Sequence, residues 1–322
     1  MRAVYYLRTL KSDHAVSILC QAILMKSHSP LIRHEIGYVL GQMQEEKACK
    51  TLEEVLCDPT DDIMVRHECA EALGAIGQSR SLPLLERMAR KRTATGRSST
   101  TESKREKEEL QPLAAETIST ADEVIVEELR ETCEIARDFC RWKVKGEQGD
   151  RPQVACACML SPYNSYDPAP PSPETDMIST VVLGDVLLNT ALPLFERYRA
   201  MFALRNRGGE ECVLQLGRAL VKDENSALLR HEVAYVLGQM AHPAAIDALA
   251  ESLRRVDEHS MVRHESAEAL GAIEGDEKEM VLCHSLLKEF SSPDNEADSV
   301  VRESCEVALD TLDYWSNFSS EE

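Results

Sequence analysis

The feature that most constrains the fold of this chain is a tripeptide, Arg-His-Glu, that occurs four times. The four copies are Arg33-His34-Glu35, Arg66-His67-Glu68, Arg230-His231-Glu232 and Arg263-His264-Glu265. The interval from His34 to His67 equals that from His231 to His264, and we call it the repeat period. The interval from His34 to His231, which we call the offset between the halves, relates the first pair of copies to the second.

The sequence around each tripeptide repeats as well, which indicates a duplicated array. The flanks match without a gap, since Leu31–Met43 reads LIRHEIGYVLGQM and Leu228–Met240 reads LLRHEVAYVLGQM. A repeat period of about 33 residues is typical of helix-turn-helix solenoid repeats. The sequence therefore predicts two copies of an array of helical hairpins.

The segment that follows each tripeptide has the apolar spacing of a helix. In Val65–Ile76 the apolar residues Cys69, Ala72 and Leu73 recur at steps of three and four, which marks one buried stripe. A turn-rich segment precedes it, and another amphipathic stretch, Ala48–Leu56, lies upstream. The predicted unit is therefore an outer helix, a turn and an inner helix, with the His-Glu pair near the start of the inner helix.

The same frame extends to repeats that lack the His-Glu pair, namely those around Arg197, Arg302 and Arg130. We therefore predict an all-α fold, an α-solenoid of HEAT-like helical hairpins in two pseudo-symmetric halves of about four repeats each. Atypical end repeats are expected because they cap the array. The motif V-R-x-x-A-x-x-A-L-G is common in HEAT-like repeats, and we expect its arginine to form ladder salt bridges between repeats.

We predict an N-terminal half over residues 1–142, a proline-rich linker over 143–182 and a C-terminal half over 183–322. Lys91–Glu108 is charged, rich in Ser and Thr and free of large apolar residues, so we expect a disordered insertion there. Met1 aligns with Tyr198. The first inner helix is therefore expected to lack an outer partner equivalent to Leu183–Arg197, and to expose an apolar patch.

Composition limits the setting and the partners of the chain. The formal net charge of −20 disfavours nucleic acid and is compatible with a cationic partner, although a strongly negative protein can simply be a soluble one. The eleven cysteines have no metal-type or CxxC spacing. We find no apolar run that would span a membrane and no signal peptide, and we predict a reducing, cytoplasmic location.

The four His-Glu pairs predict a dinuclear metal site. Neighbouring helices pack about 8–10 Å apart, so His34 and His67 can converge on one point, and a following glutamate adds an oxygen ligand. His231, His264 and Glu265 repeat this set in the second half. Two histidines and one carboxylate suit non-haem iron, although imidazole and carboxylate also accept zinc or manganese. The alternative is a capping or salt-bridging pair that duplication has copied.

Other residues on the same helical face have two interpretations each. Glu71 and Glu268 lie four residues after a histidine, where they either hold the far nitrogen of a ligand imidazole or are solvated. Tyr38 and Tyr235 occupy the same position in the other copies. Glycines seven residues after each histidine indicate either close helix packing or room for a substrate side chain; they are Gly41, Gly74, Gly238 and Gly271.

The doubled RHE…YVLGQM and MVRHE…AEALGAI motifs resemble those of the deoxyhypusine hydroxylases. FERYRAMFALRN ahead of the second set and VVRESCEVALD near the end extend the resemblance over both halves. It implies a HEAT-repeat di-iron monooxygenase that uses dioxygen, two iron ions and an external electron donor. The implied substrate is the deoxyhypusine side chain of eukaryotic translation initiation factor 5A, which is hydroxylated to hypusine.

The resemblance also implies roles for particular residues. His34, His67 and Glu68 would hold one iron, and His231, His264 and Glu265 the other. The residues that would face the substrate are Glu35, Glu232, Gly41 and Gly238. Two other functions stay open at this point: a non-enzymatic HEAT-repeat scaffold that binds a protein, and a HEAT-repeat metalloenzyme that uses another metal.

Overall fold

The computed structural model describes residues 1–90, 126–147, 163, 165–171 and 177–319. The predicted insertion at Lys91–Glu108 and most of the predicted linker lie outside the described residues. Throughout the described ranges the regular elements are helices. The α-helices are α1 Arg2–Leu10, α2 Asp13–Ile23, α3 Pro30–Met43, α4 Cys49–Cys57, α5 Ile63–Ile76, α6 Leu82–Met88, α7 Glu127–Glu147, α8 Thr180–Leu188, α9 Leu194–Arg207, α10 Glu210–Lys222, α11 Ala227–Met240, α12 Ile246–Arg254, α13 Ser260–Ala272, α14 Glu277–Phe290 and α15 Ser299–Ser319.

The helix pairs confirm the predicted all-α solenoid and its internal repeat. When the offset between the halves is added to the residue numbers that bound α3, it gives the bounds of α11. The same offset relates the bounds of α4 to those of α12. The first half contains α1 and three hairpins, and the second half contains four hairpins. None of the described helices is both long enough and apolar enough to cross a bilayer.

Polar residues start the inner helices that carry the His-Glu pairs. Ser29 and Ser226 cap α3 and α11 by accepting hydrogen bonds from backbone N–H groups of the first turn, and Asp62 caps α5 in the same way. Gly77 ends α5 with φ of 74°, a left-handed conformation that glycine adopts without a steric penalty. These caps fix where each inner helix begins, and therefore how far its histidine lies from the helix start.

The arginines of the repeat form the predicted ladder. The Nε atom of Arg33 donates to the carbonyl of Ile23 at the end of its own outer helix, at 2.7 Å. Its guanidinium then makes two hydrogen bonds of 2.5 and 2.6 Å to the carboxylate of Asp61 in the next hairpin. Arg230 pairs with Glu258 in the same way, at 2.8 and 2.6 Å. Each arginine therefore joins its own repeat to the following one.

The inner helices of the two halves face each other. Within each half they pack in order, α3 on α5 and α5 on α7, and α11 on α13 and α13 on α15. Between the halves, α7 contacts α11 and α15 contacts α3. Each half has its own apolar core, and a small cluster of Leu31, Met64 and Val300 joins α3 and α5 to α15. The face that carries the histidines is therefore enclosed between the halves.

Part of the predicted linker is built into the interface between the halves. Asp167 and Ala169 are buried, and the carboxylate of Asp167 accepts two hydrogen bonds, of 2.8 and 2.5 Å, from the buried guanidinium of Arg205. Gln42 of α3 makes two hydrogen bonds to the backbone of Tyr166, which attaches the segment to the first half. The segment 165–171 is therefore a packed part of the structure, beyond the spacer role predicted from its prolines.

The helix bounds also differ from the predicted linker limits. Helix α7 continues past residue 142 to Glu147, and Lys143 Nζ donates to the carbonyl of Ala75 at 2.6 Å, which ties this part of α7 to α5. Helix α8 begins at Thr180, where Ser179 caps it. In α1, Tyr5 is 41% exposed, whereas its counterpart Phe202 in the second half is fully buried.

Candidate metal centre

Four buried imidazoles meet between the two halves. Each belongs to the first turns of an inner helix: His34 on α3, His67 on α5, His231 on α11 and His264 on α13. Ring centroids lie 5.3 Å apart for His34 and His67, and 5.4 Å apart for His231 and His264. Across the halves, His34 lies 5.3 Å from His264, and His67 lies 5.2 Å from His231. The four tripeptides therefore converge on one place.

The glutamates of the second copies complete the cluster. His231 Nε2 lies 3.5 Å from Glu265 Oε2, and the equivalent atoms of His34 and Glu68 lie 3.2 Å apart. Ligand atoms of His231, His264 and Glu265 all lie within 4.8 Å of one another. The ligand atoms of the first half form other groups. Those of His34 and His67 lie close to His231, and those of His67 also lie close to Glu68 and Glu71.

Most ring nitrogens of this cluster make no hydrogen bond. Both ring nitrogens of His34, His67 and His231 are buried without a hydrogen bond, and so is Nε2 of His264. A buried polar group that makes no hydrogen bond costs about 1–3 kcal/mol, so several together are a large unexplained cost. Metal ions would satisfy one nitrogen of each ring, since the other nitrogen of a neutral imidazole carries the N–H. The residues present therefore fit a metal centre. Ion pairing could account for both nitrogens of His34 and for Nε2 of His231, but it leaves both nitrogens of His67, Nδ1 of His231 and Nε2 of His264 unaccounted for.

Burial keeps three of the four imidazoles neutral. It lowers the pKa of His264 to about 3, and it lowers the pKa values of His67 and His231 well below their usual range. Burial also acts to lower the pKa of His34, but the carboxylates of Glu68 and Glu35 outweigh it and raise that pKa. Neutral imidazole is the form that ligates metals, and a cation would take the place of the proton on His34.

The carboxylates around the imidazoles are crowded and buried, which favours a cation among them. Burial raises the pKa of Glu71 to about 8, and the neighbouring charge of Glu68 contributes. Burial likewise raises the pKa values of Glu232 and Glu265, with further contributions from nearby glutamates. Like charges in a low-dielectric site disfavour the ionised form unless positive charge is present. Metal ions or substrate ammonium groups would supply that charge.

Glu268 occupies the position predicted to hold a ligand imidazole. Its Oε1 lies 3.5 Å from His264 Nδ1, and it accepts a hydrogen bond of 2.8 Å from Ser304 of α15. This arrangement supports the orienting interpretation over that of a solvated glutamate. The sequence does not predict the contact of Ser304 with Glu268. The repeat identifies the helix that carries Ser304, but how closely that helix approaches α13 depends on the curvature of the array.

Glu35 and Glu232, the residues predicted to face the substrate, lie beside the histidines and are both buried. Glu35 accepts a hydrogen bond of 2.5 Å from the hydroxyl of Tyr5. One oxygen of Glu232 has no hydrogen-bond partner. The tyrosine contact has no sequence signal, since Phe202 stands at the equivalent place in the second half.

Gly41 and Gly238 have a packing role in this structure. A Cβ atom on Gly41 would lie 2.9 Å from Ala72 Cα, and one on Gly238 would lie 3.1 Å from Ala269 Cα. These are contacts with the backbone of the next inner helix, so glycine is what permits the close approach. Whether the two residues also contact a substrate stays a prediction.

A hydrogen-bonded tyrosine pair ties the two halves together next to the histidines. The hydroxyls of Tyr38 and Tyr235, one turn after His34 and His231, lie 2.9 Å apart. Gln239 donates to the hydroxyl of Tyr235 at 2.9 Å and to Ser165 at 3.2 Å. The sequence shows Tyr and Gln at equivalent places in the two halves, but it did not reveal that the equivalent tyrosines meet.

Comparison with known proteins places the chain in one family. The family model for HEAT repeats matches residues 22–103, 182–271 and 229–310. Deoxyhypusine hydroxylase of Danio rerio is 42% identical over 313 residues, covering 97% of this chain and 86% of that protein. The Homo sapiens deoxyhypusine hydroxylase is 40% identical over 313 residues, covering 97% and 85%.

A solved structure agrees with these sequence relationships. The structure of human deoxyhypusine hydroxylase in complex with glycerol superposes with a TM-score of 0.75 at 40% sequence identity. The match covers 97% of this chain and 89% of the human one. Similarity of this extent, together with the fold and the clustered His-Glu pairs, shows that the chain belongs to the deoxyhypusine hydroxylase family.

Proposed function

We propose that this chain hydroxylates the deoxyhypusine side chain of eukaryotic translation initiation factor 5A, using dioxygen and two iron ions. The observation that carries the proposal is the set of buried imidazole nitrogens without hydrogen bonds, placed among buried carboxylates between the two halves. The names of the relatives supply the substrate.

The protein would hold one iron through His34, His67 and Glu68, and the other through His231, His264 and Glu265. Two histidines and a carboxylate leave coordination positions open, which suits non-haem iron. When bound, the two irons supply the oxidising chemistry that splits dioxygen. In the overall reaction one oxygen atom enters a C–H bond, and the other leaves as water after uptake of two protons and two electrons from an external donor.

The carboxylates of Glu35 and Glu232 would bind the positive charges of the substrate side chain. Deoxyhypusine carries ammonium groups, and an ammonium–carboxylate hydrogen bond is strong where both groups are withdrawn from water. The unpartnered oxygen of Glu232 is a ready acceptor, and Glu35 could exchange its bond to Tyr5 for one to the substrate. Such contacts would place a C–H bond of the chain beside the metal centre and hold it there.

Positioning of the two metal sets would depend on the contacts that join the halves. The bond between Tyr38 and Tyr235 ties α3 to α11, the helices that carry His34 and His231. The backbone of Tyr166 is held by Gln42 of the same helix α3. Each half carries only two of the four imidazoles. The distance between the two histidine pairs would therefore depend on these contacts between the halves.

The test is a turnover assay with the intact chain. The chain is loaded with ferrous iron and mixed with reductant, labelled dioxygen and the deoxyhypusine-bearing factor. The factor should gain one labelled oxygen atom, detected by mass spectrometry, at the modified side chain. A factor that carries unmodified lysine is the substrate control. No mass gain with iron-loaded chain would overturn the proposal, and so would equal gain with the lysine control.

A further inference from the structure

The two places where the halves meet are equivalent in topology but differ in structure. We call the contact of α7 with α11 the closed junction, and the contact of α15 with α3 the open junction. Helix α11 is the counterpart of α3 at the offset between the halves. Helix α15 is the counterpart of α7, since a shorter offset relates both bounds of α7 to those of α15. The metal centre lies between the junctions and has the same residue types on both sides.

The closed junction is filled. Ile135 and Phe139 of α7 and Leu228 of α11 line a cavity of only about 10 Å³, about the volume that holds a single water. Ser226 of α11 donates a hydrogen bond of 2.6 Å to Glu131 of α7, which fastens the two helices together. No side chain of substrate size could reach the metal centre through this junction without unpacking it.

The open junction contains a groove of about 580 Å³. Among its lining residues, Leu31 and Val307 correspond to Leu228 and Ile135 of the closed junction, and they form an apolar floor. Thr311 stands where Phe139 fills the closed junction. Glu303 corresponds to Glu131, but among the described residues it makes no bond like that of Glu131 to Ser226.

The groove adjoins the metal centre at both of its walls. On α3, Leu31 lies four residues before Glu35 and therefore on the same helical face. On α15, Glu303 is followed by Ser304, whose hydroxyl donates to Glu268 and lies 3.5 Å from His264 Nδ1. A chain bound in this groove would therefore lie next to residues of the metal centre on both helices.

We propose that the target side chain enters through the groove of the open junction alone, and that this groove docks the basic surface around the modified residue. The inference rests on the proposed function. The groove presents three carboxylates, those of Glu303, Glu306 and Asp310, against one side-chain ammonium group, that of Lys288. An apolar floor with an acidic rim suits a long aliphatic chain with positive charges, carried on a cationic protein surface.

Charge reversal tests the docking role. The triple variant Glu303→Lys, Glu306→Lys and Asp310→Lys should raise KM for the deoxyhypusine-bearing factor about tenfold or more, and leave kcat within about twofold. The loss should shrink as salt is added, since salt screens surface charge. Iron content and melting temperature should be unchanged.

The matched control reverses three carboxylates away from the groove. Glu54, Glu224 and Glu251 are exposed, and Glu54 and Glu251 occupy equivalent positions on the outer helices α4 and α12. Both triple variants change the net charge equally, so a general field effect would raise KM equally in both. An equal rise, or no rise in the groove variant, would overturn the docking role.

A blocking variant tests whether entry is one-sided. Val307→Trp should fill the groove and lower kcat/KM at least tenfold, whereas Val307→Ile, which installs the residue of the closed junction, should have a small effect. Full activity of a folded Val307→Trp variant would mean that the substrate enters elsewhere. Binding of the factor to the metal-free variants reports on the groove independently of turnover. Failure of the proposed function would instead appear as absent hydroxylation by the unchanged chain.

Discussion

Replacement of Asp167 by alanine should destabilise the protein by about 3–5 kcal/mol, the usual effect of removing one partner of a buried ion pair. Asp167 accepts two hydrogen bonds from Arg205, at 2.8 and 2.5 Å, and neither side chain is appreciably exposed. The guanidinium would keep its contacts with Gln239 and Asn206 but would lose both hydrogen bonds to the carboxylate of Asp167. The assay is denaturant unfolding followed by circular dichroism.

The control is an exposed pair of the same type. Asp185 and Arg218 are 3.0 Å apart, with side chains 58% and 46% exposed, so Asp185→Ala should change stability by less than about 1 kcal/mol. A double variant, Asp167→Leu with Arg205→Met, should be less destabilised than Asp167→Ala, because both charges of the buried pair are removed together. If Asp167→Ala and Asp185→Ala unfold at the same denaturant concentration, segment 165–171 does not contribute to the interface as described.

Three further changes test individual contacts of the site. Glu232→Ala should keep its iron and lose affinity for the deoxyhypusine-bearing factor in a binding assay; loss of both irons would instead make Glu232 a ligand. Gly271→Ala should destabilise by about 1–3 kcal/mol, and more than Gly238→Ala, because the added Cβ meets the next helix at 2.6 Å instead of 3.1 Å; the reverse order in melting temperature would contradict this. Tyr38→Phe should cost about 1 kcal/mol, and Tyr235→Phe should cost more because it also removes the acceptor of Gln239; the double variant should cost little more than Tyr235→Phe alone, since the bond between the two hydroxyls is lost only once, and additive losses would show that the pair does not interact.

The internal repeat of the sequence predicts most of the fold. The repeat period and the spacing of apolar residues determine the hairpins, and the offset between the halves predicts that the two halves have equivalent helices. Because His34 and His67 are in phase on adjacent inner helices, their convergence followed from helix packing alone. The repeat alone does not determine how the two halves face each other, and the structure brings their imidazole rings to 5.2 and 5.3 Å across the interface.

Contacts that depend on the curvature of the array could not be predicted. Tyr5 with Glu35, Ser304 with Glu268, and Asp167 with Arg205 join residues that no repeat relates to each other. The repeat also does not predict the difference between the open and closed junctions, because that difference arises at positions where the two halves have different residues. The role of the glycines that follow each histidine could not be predicted for another reason. The absence of a side chain permits close helix packing and also leaves room for a substrate.

We propose that this chain holds two metal ions between its halves, through histidines from both. The most direct test is iron analysis of the chain after anaerobic loading and removal of unbound metal, beside the double variant His67→Ala with His264→Ala. We predict two irons per unchanged chain, with most of that iron lost from the variant while its helical content stays the same, because apolar contacts hold the repeats. No iron in the unchanged chain, or two irons retained by the variant, would contradict the assignment.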